Sequence, residues 1–217
     1  MLQHVPNALT ASRLLLAFVF FSMLAYYQYE GRGEPWLLNI ALFIYVVALV
    51  TDFLDGYLAR KWKVEGAFGR IVDPFVDKIL VLGTFIFFAG KNFIIPDTAN
   101  ANVVRTITGV APGVVVILLA RELLVTSLRG EAESAGQAFG AVFAGKIKMG
   151  FQSGTILGIL VYVNYHAWKW PAPYAEIAYW VRQFGIWGTV LITLYSSIQY
   201  LQNAIALYRR GVNRPAA

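Results

Sequence analysis

Six long apolar runs alternate with short polar stretches along the chain. The runs cover residues 9–28, 37–58, 72–90, 107–127, 147–167 and 181–206. Each run is close to the roughly 20 residues that a helix needs to cross the hydrocarbon core of a bilayer. Helix-breaking residues such as Gly31, Pro35, Pro96 and Pro171 lie in the stretches between the runs. The pattern predicts an all-α integral membrane protein, a six-transmembrane-helix bundle in which residues 1–217 form a single membrane-embedded domain.

The composition also favours a membrane protein. Of the 217 residues 58% are hydrophobic and 14% are charged, whereas soluble domains carry about 25% charged residues. The chain has no Cys, which excludes disulfides, zinc–thiolate sites and thiol nucleophiles. Its net charge of +6 suits contact with anionic lipids or phosphorylated substrates, and equally the cytoplasmic Lys and Arg of an ordinary membrane protein. Residues 1–6 lack the basic segment of a cleaved signal peptide.

Basic residues are divided unevenly between the polar stretches. The second and fourth stretches and the C-terminal tail are rich in Lys and Arg, and the other stretches are poorer. Because cytoplasmic loops carry this excess, we expect both termini and the second and fourth stretches in the cytoplasm, with the protein in a bacterial inner (cell) membrane. Trp36, Trp168, Trp170 and Trp180 would then lie near the outer interface, which indole rings favour.

Four of the five aspartates lie between positions 52 and 77, at the predicted cytoplasmic ends of spans two and three. Asp52 and Asp55 are three residues apart, and Asp73 and Asp77 are four apart, so each pair shares a helix face. Antiparallel neighbouring helices would bring the four carboxylates together, where like charges repel and low dielectric penalises each charge. Oxygen ligands without His or Cys favour magnesium, manganese or calcium. We therefore predict that these four aspartates bind divalent metal.

Helix capping in water is the simpler alternative for these aspartates. It suits Asp73 at a predicted helix start, but it does not suit Asp52 and Asp55, which lie towards a helix C-terminus where the dipole disfavours acids. Gly56 adds a backbone surface that a ligand can approach closely. Arg60, one turn beyond, adds a guanidinium that can bind phosphate. Together these residues favour a metal–pyrophosphate site.

These residues also carry a resemblance. The chain resembles the CDP-alcohol phosphotransferase family at every fixed position of the spacing Asp52-x2-Asp55-Gly56-x2-Ala59-Arg60-x8-Gly69-x3-Asp73-x3-Asp77. The resemblance implies magnesium or manganese on the four aspartates, with Asp77 also the catalytic base. It implies transfer of a phosphatidyl group from CDP-diacylglycerol to an alcohol, with release of CMP. It further implies that the CDP portion contacts Asp55, Gly56, Ala59, Arg60 and Gly69.

Basic residues near the cytoplasmic ends of spans four and five bear on the acceptor alcohol. Arg121 lies inside span four, where a charge is expensive and is by default a functional candidate. Arg129, Lys146 and Lys148 lie at the same face, and such a cluster suits a dianionic acceptor phosphate. Snorkelling to lipid headgroups would equally account for Arg129 and Lys148.

The basic cluster and the start of span one resemble the phosphatidylglycerophosphate synthase branch of the family, in which the acceptor is glycerol 3-phosphate. In span one the resemblance rests on Asn7-x2-Thr10-x2-Arg13. Asn7 and Thr10 are accordingly predicted to contact CDP. Arg13 could reach the nucleotide from the same span, although anchoring at the membrane interface would suit Thr10 and Arg13 as well.

Several alternatives stay open at this stage. Met149 stands where that branch commonly has a small polar residue, so inositol phosphate, phosphatidylglycerol and serine remain alternative acceptors. A cation transporter or channel is the alternative of another class, although it would need carboxylates near the midplane. Gly150, Gly154 and Gly158 form a small-residue face, and the resemblance implies a homodimer. The expected partners are CDP-diacylglycerol, a phosphorylated small alcohol and the lipid bilayer, and no nucleic acid is expected.

Overall fold

The structure, a computed structural model, describes residues 5–29, 31–62, 67–95, 105–134, 143–166 and 172–212. Within these ranges it leaves undescribed the side chains of residues 5–9, 55–62, 67–71, 73, 74, 143, 144, 146, 166, 172, 173 and 207–212. The described residues form six long helices: α1 (Val5–Tyr26), α2 (Pro35–Trp62), α3 (Ala67–Phe88), α4 (Pro112–Ser134), α5 (Phe143–His166) and α6 (Ala172–Val212). The predicted all-α class with six helices is thus confirmed for this part of the chain.

Two groups of helices pack together to form the bundle. α1 packs against α2 and α3, and α6 packs against α5 and α4. Contacts of α2 with α5, and of α3 with α4 and α5, join the two groups. Phe20 of α1 and Tyr45 of α2 are both fully buried, with ring centroids 5.4 Å apart. This arrangement places the middle of α3 between α1 and α4, so one helix borders both halves of the bundle.

The connection between α3 and α4 differs from the prediction. A helical span was expected from residue 107, but α4 begins at Pro112, and the preceding residues form a ladder of two short antiparallel strands, β1 (Ile94–Ile95) and β2 (Arg105–Thr106). Gly109 adopts a left-handed φ of 73°, which glycine accepts without strain. Apolar residues such as Ile107 are buried in this turn. The apolar run in the sequence therefore could not distinguish this turn from the start of a helix.

The ends of α2 and α3 also differ from the prediction. α2 continues to Trp62 instead of ending near residue 58, so Asp52 and Asp55 lie farther from its C-terminal end than predicted. α3 begins at Ala67, so Asp73 lies in its second turn rather than at its start. Capping of a helix end therefore does not account for the positions of these three aspartates.

The bundle buries several polar residues while large apolar side chains face outward. Leu15, Phe18, Phe43, Leu123 and Phe184 are all about two-thirds exposed or more. Within the described residues, one helical stretch, Pro35–Leu54, is long and apolar enough to cross a membrane, and Thr10–Tyr26 is a shorter apolar helix. Large apolar side chains exposed on several helices are typical of a surface that contacts a membrane or another protein.

Candidate active site

A buried arginine of α1 joins carboxylates from two other helices. The Nη1 atom of Arg13 donates a hydrogen bond to Oδ1 of Asp52 on α2, and a second to Oδ1 of Asp77 on α3 at 3.0 Å. The Arg13 side chain is only 2% exposed, whereas Asp52 is 39% and Asp77 24% exposed. The arginine therefore contacts the two carboxylates from the interior of the bundle.

Each of these three residues continues an apolar stripe on its helix. On α1 the buried positions recur at the three- and four-residue spacing of one helix face: Thr10, Arg13, Ala17, Phe20 and Leu24. On α2 Asp52 follows the buried stripe Ala41, Tyr45 and Ala48, and on α3 Asp77 precedes the buried stripe Val81, Thr84 and Phe88. The helices α2 and α3 both pack against α1, and this shared contact with α1 brings Arg13, Asp52 and Asp77 together.

The convergence of Asp52 and Asp77 fits a divalent cation. Oδ1 of Asp52 and Oδ1 of Asp77 both bond the same nitrogen of Arg13, so the two carboxylates lie in one small region of the bundle. Carboxylate oxygens are also the ligands that magnesium and manganese prefer. The other two predicted ligands, Asp55 and Asp73, lie outside the described side chains. The described side chains alone do not bring three such ligands together.

A second charged cluster lies where α4 meets α5. Oε1 of Glu122 accepts a hydrogen bond from Nη1 of Arg121 at 2.6 Å and another from Nζ of Lys148. All three side chains are at most 10% exposed. The Arg121 guanidinium also lies 5.3 Å from the ring centroid of Tyr200 on α6, a favourable cation–π contact. One carboxylate thus holds two cations from different helices in one buried position.

Lys78 adds a third cation beside this cluster. Its Nζ donates a hydrogen bond to Oγ1 of Thr126 at 2.7 Å, and Thr126 in turn donates to the backbone oxygen of Glu122. The charge of Lys78 also repels that of Lys148. Lys78 is not among the site residues predicted from the sequence. A lysine directly after Asp77 within an apolar run is nevertheless a signal of a functional residue in the sequence. Three cations around one carboxylate leave an excess of positive charge.

The remaining predicted site residues divide into two groups. Thr10 is buried on the same face of α1 as Arg13. Arg129 is half-buried on α4, and among the described residues it forms no ion pair with Glu122. The other predicted contacts lie outside the described side chains: Asn7, Gly56, Ala59, Arg60, Gly69 and Lys146. The structure therefore brings Arg121 and Lys148 together and places Thr10 close along the helix to Arg13.

Sequence comparison identifies similar proteins. A family model described as CDP-alcohol phosphatidyltransferase matches residues 3–196. Proteins named CDP-diacylglycerol–glycerol-3-phosphate 3-phosphatidyltransferase are 30% identical in Haemophilus influenzae and 28% identical in Yersinia enterocolitica, each over 203 residues and 93% of this chain. These alignments cover 93% and 94% of the two relatives, respectively. A protein of the same name from Cereibacter sphaeroides is 35% identical over 125 residues, and the match spans about half of that relative, 48%.

Proposed function

Because the chain belongs to the CDP-alcohol phosphatidyltransferase family, we propose that it transfers the phosphatidyl group of CDP-diacylglycerol to glycerol 3-phosphate. The products are phosphatidylglycerophosphate and CMP. The observation that carries this proposal is the convergence of Asp52 and Asp77, two aspartates of the family motif, on one nitrogen of Arg13. The names of relatives that align over 93% of the chain support glycerol 3-phosphate as the acceptor.

In this proposal Asp52, Asp55, Asp73 and Asp77 hold magnesium or manganese. The bound cation supplies positive charge that stabilises the attacking and leaving oxygens. Asp77 accepts the proton of the acceptor hydroxyl. The hydroxyl oxygen forms a bond to the phosphorus that carries diacylglycerol, and the bond from this phosphorus to the CMP oxygen breaks. The CDP portion contacts Asn7, Thr10, Asp55, Gly56, Ala59, Arg60 and Gly69.

The cationic cluster provides the acceptor-phosphate site. Arg121 and Lys148 are held together by Glu122, and Lys78 lies close by. Three cations against one carboxylate leave roughly two positive charges, which a dianionic phosphate would balance. Arg129, near the C-terminal end of α4, and Lys146, near the N-terminal end of α5, are assigned to the same site. Lys78 directly follows Asp77 on α3, so one helix carries both the proposed base and a cation of the proposed acceptor site.

The bilayer is the proposed environment of the whole bundle. Outward-facing apolar side chains such as Phe18, Phe43 and Phe184 support six membrane spans, because they would be costly in water. Residues 1–217 form a single membrane-embedded domain in the bacterial inner membrane. The two termini and the active site face the cytoplasm, where the excess of Lys and Arg lies.

A homodimer is the proposed assembly. On α5 no described atom lies within 4 Å of the positions where Gly150, Gly154 and Gly158 would carry a Cβ. Small residues at this spacing allow close approach of a helix from a second copy. No nucleic-acid partner is proposed.

A panel of acceptors tests the proposed reaction. Purified protein in lipid nanodiscs is incubated with CDP-diacylglycerol, Mg²⁺ and one acceptor at a time, and the lipid product is identified by mass spectrometry. We expect phosphatidylglycerophosphate and an equal amount of CMP with glycerol 3-phosphate. Preferential reaction with inositol phosphate, serine or phosphatidylglycerol would contradict the acceptor assignment. Absence of CMP with every acceptor would contradict the reaction itself.

A further inference from the structure

Arg13 is among the largest fully buried side chains described, and it bonds two of the proposed metal ligands. We propose that Arg13 is a positioning residue that holds Asp52 and Asp77 in the geometry in which they bind the divalent cation. This inference rests on the proposed function. It gives Arg13 a role in assembling the metal site rather than in contacting the nucleotide.

The direction of approach supports this role. Arg13 is 2% exposed and reaches both carboxylates from the interior, while Asp52 and Asp77 keep 39% and 24% of their side-chain surface accessible. Each carboxylate therefore keeps surface that a cation can reach while Arg13 bonds its Oδ1 atom. Partners behind metal-binding groups fix the orientation of those groups in this way.

The residues of this cluster come from three different helices, which explains why a positioning residue is needed. Asp52 and Asp77 belong to α2 and α3, and two carboxylates brought close together repel each other. Arg13, on α1, packs against both helices and contributes one fixed positive charge. Thr10 and Ala17 lie on the same buried face, so the backbone that carries Arg13 is itself anchored by packing. The guanidinium thus opposes the repulsion and sets the spacing of the two carboxylates.

Binding of Mn²⁺ to the full chain in nanodiscs, measured by electron paramagnetic resonance without substrates, tests the proposal. We expect Arg13→Gln to weaken Mn²⁺ binding by roughly 10- to 100-fold, as loss of such partners does elsewhere. Arg182→Gln is the matched control, because Arg182 is also a buried arginine but bonds the backbone oxygen of Ile107 and stacks on Tyr162. It should destabilise the protein and leave Mn²⁺ affinity unchanged.

Arg13→Lys is the variant to measure if Arg13→Gln does not fold. It keeps the charge, but the shorter side chain ends before the position of Nη1, the one atom that bonds both carboxylates. We expect about a tenfold weaker Mn²⁺ affinity and a matching rise in the Mg²⁺ concentration for half-maximal activity. The KM for glycerol 3-phosphate should stay within about twofold, because the acceptor site is built by other residues.

Four outcomes would overturn the proposal. Mn²⁺ affinity of Arg13→Gln equal to or above that of the wild type would show that Arg13 does not position the ligands. Unchanged affinity in Arg13→Lys would show the same where only that variant folds. Equal weakening by Arg13→Gln and Arg182→Gln would assign the effect to general loss of packing. A wild-type protein that binds no Mn²⁺ and releases no CMP would instead remove the proposed function, and this inference with it.

Discussion

Two clusters of charged side chains lie in the described part of the bundle, one centred on a cation and the other on a carboxylate. In the first, one cation, Arg13, bonds two carboxylates, and in the second, one carboxylate, Glu122, bonds two cations. The first cluster suits a further cation and the second suits an anion. This division matches a reaction that needs a divalent metal beside a phosphorylated acceptor.

The proposed base can be tested by an isosteric change. Asp77→Asn keeps the size of the side chain but cannot accept the proton of the acceptor hydroxyl. We expect the rate of CMP formation to fall by at least about 100-fold, which is the lower range for loss of a general base. Binding of CDP-diacylglycerol, measured by titration with the nucleotide lipid, should be retained. Near-wild-type turnover in this variant would remove the base assignment.

The acceptor site can be tested by the KM values of the two substrates. Arg121→Ala removes a cation that can bond the acceptor phosphate, and bonds to charged groups contribute about 1.5–3 kcal/mol. We expect the KM for glycerol 3-phosphate to rise roughly 10- to 100-fold and that for CDP-diacylglycerol to change less than about twofold. Lys91→Ala, at an exposed position outside the site, is the control. Equal rises in both KM values would make Arg121 a structural residue.

The identity of the aspartates in the site could be predicted from the sequence, but the contacts between site residues could not. The aspartate spacing was enough to select Asp52 and Asp77, because side chains on one helix face recur at three- and four-residue intervals. The partners of Arg13 could not be predicted in the same way, since its bonds cross 39 and 64 positions of sequence and depend on how three helices pack. The contact between Lys78 and Thr126 could not be predicted for the same reason, because it joins two helices.

At the scale of helices, the number of long helices was predictable, but their ends were not. Helix-length apolar runs identified the six helices, while α4 begins at Pro112 and α2 continues to Trp62. The buried turn before α4 is held by Arg182, whose Nη1 donates to the backbone oxygen of Ile107 at 2.5 Å. The local sequence contains no pattern that would predict a tertiary contact of this kind.

Close approach of α1 and α3 depends on Gly83. A Cβ at this position would lie 2.6 Å from the ring of Phe21, and Phe21 has little room to move because it stacks on Phe87 at 5.6 Å. We expect Gly83→Ala to lower the free energy of unfolding by about 1–3 kcal/mol, the usual cost of overpacking. Thermal unfolding in detergent measures the change.

Gly130→Ala is the matched control for this prediction. Its added methyl group meets no described atom within 4 Å, and alanine is favoured over glycine in a helix by about 1 kcal/mol. We therefore expect unchanged or slightly higher stability. A Gly83→Ala protein as stable as Gly130→Ala would contradict the close packing of α1 on α3.

At the scale of the whole molecule, the absence of Cys makes the proposed orientation accessible to labelling. Glu34→Cys, before α2, should react with a membrane-impermeant maleimide in intact cells. Ser134→Cys, at the end of α4, should react only after the membrane is opened, because that end is proposed to face the cytoplasm. Both positions are exposed in the structure. The reverse labelling pattern would contradict the proposed topology.

The central claim is that clustered aspartates hold a divalent metal on which phosphatidyl transfer depends. The most direct measurement is CMP formation from CDP-diacylglycerol and glycerol 3-phosphate in nanodiscs, first with EDTA and then with increasing Mg²⁺. The account predicts no CMP in EDTA, full recovery with Mg²⁺ in the wild type, and little recovery in Asp52→Asn at the same concentrations. CMP formation that persists in EDTA, or an Asp52→Asn protein that recovers like the wild type, would contradict it.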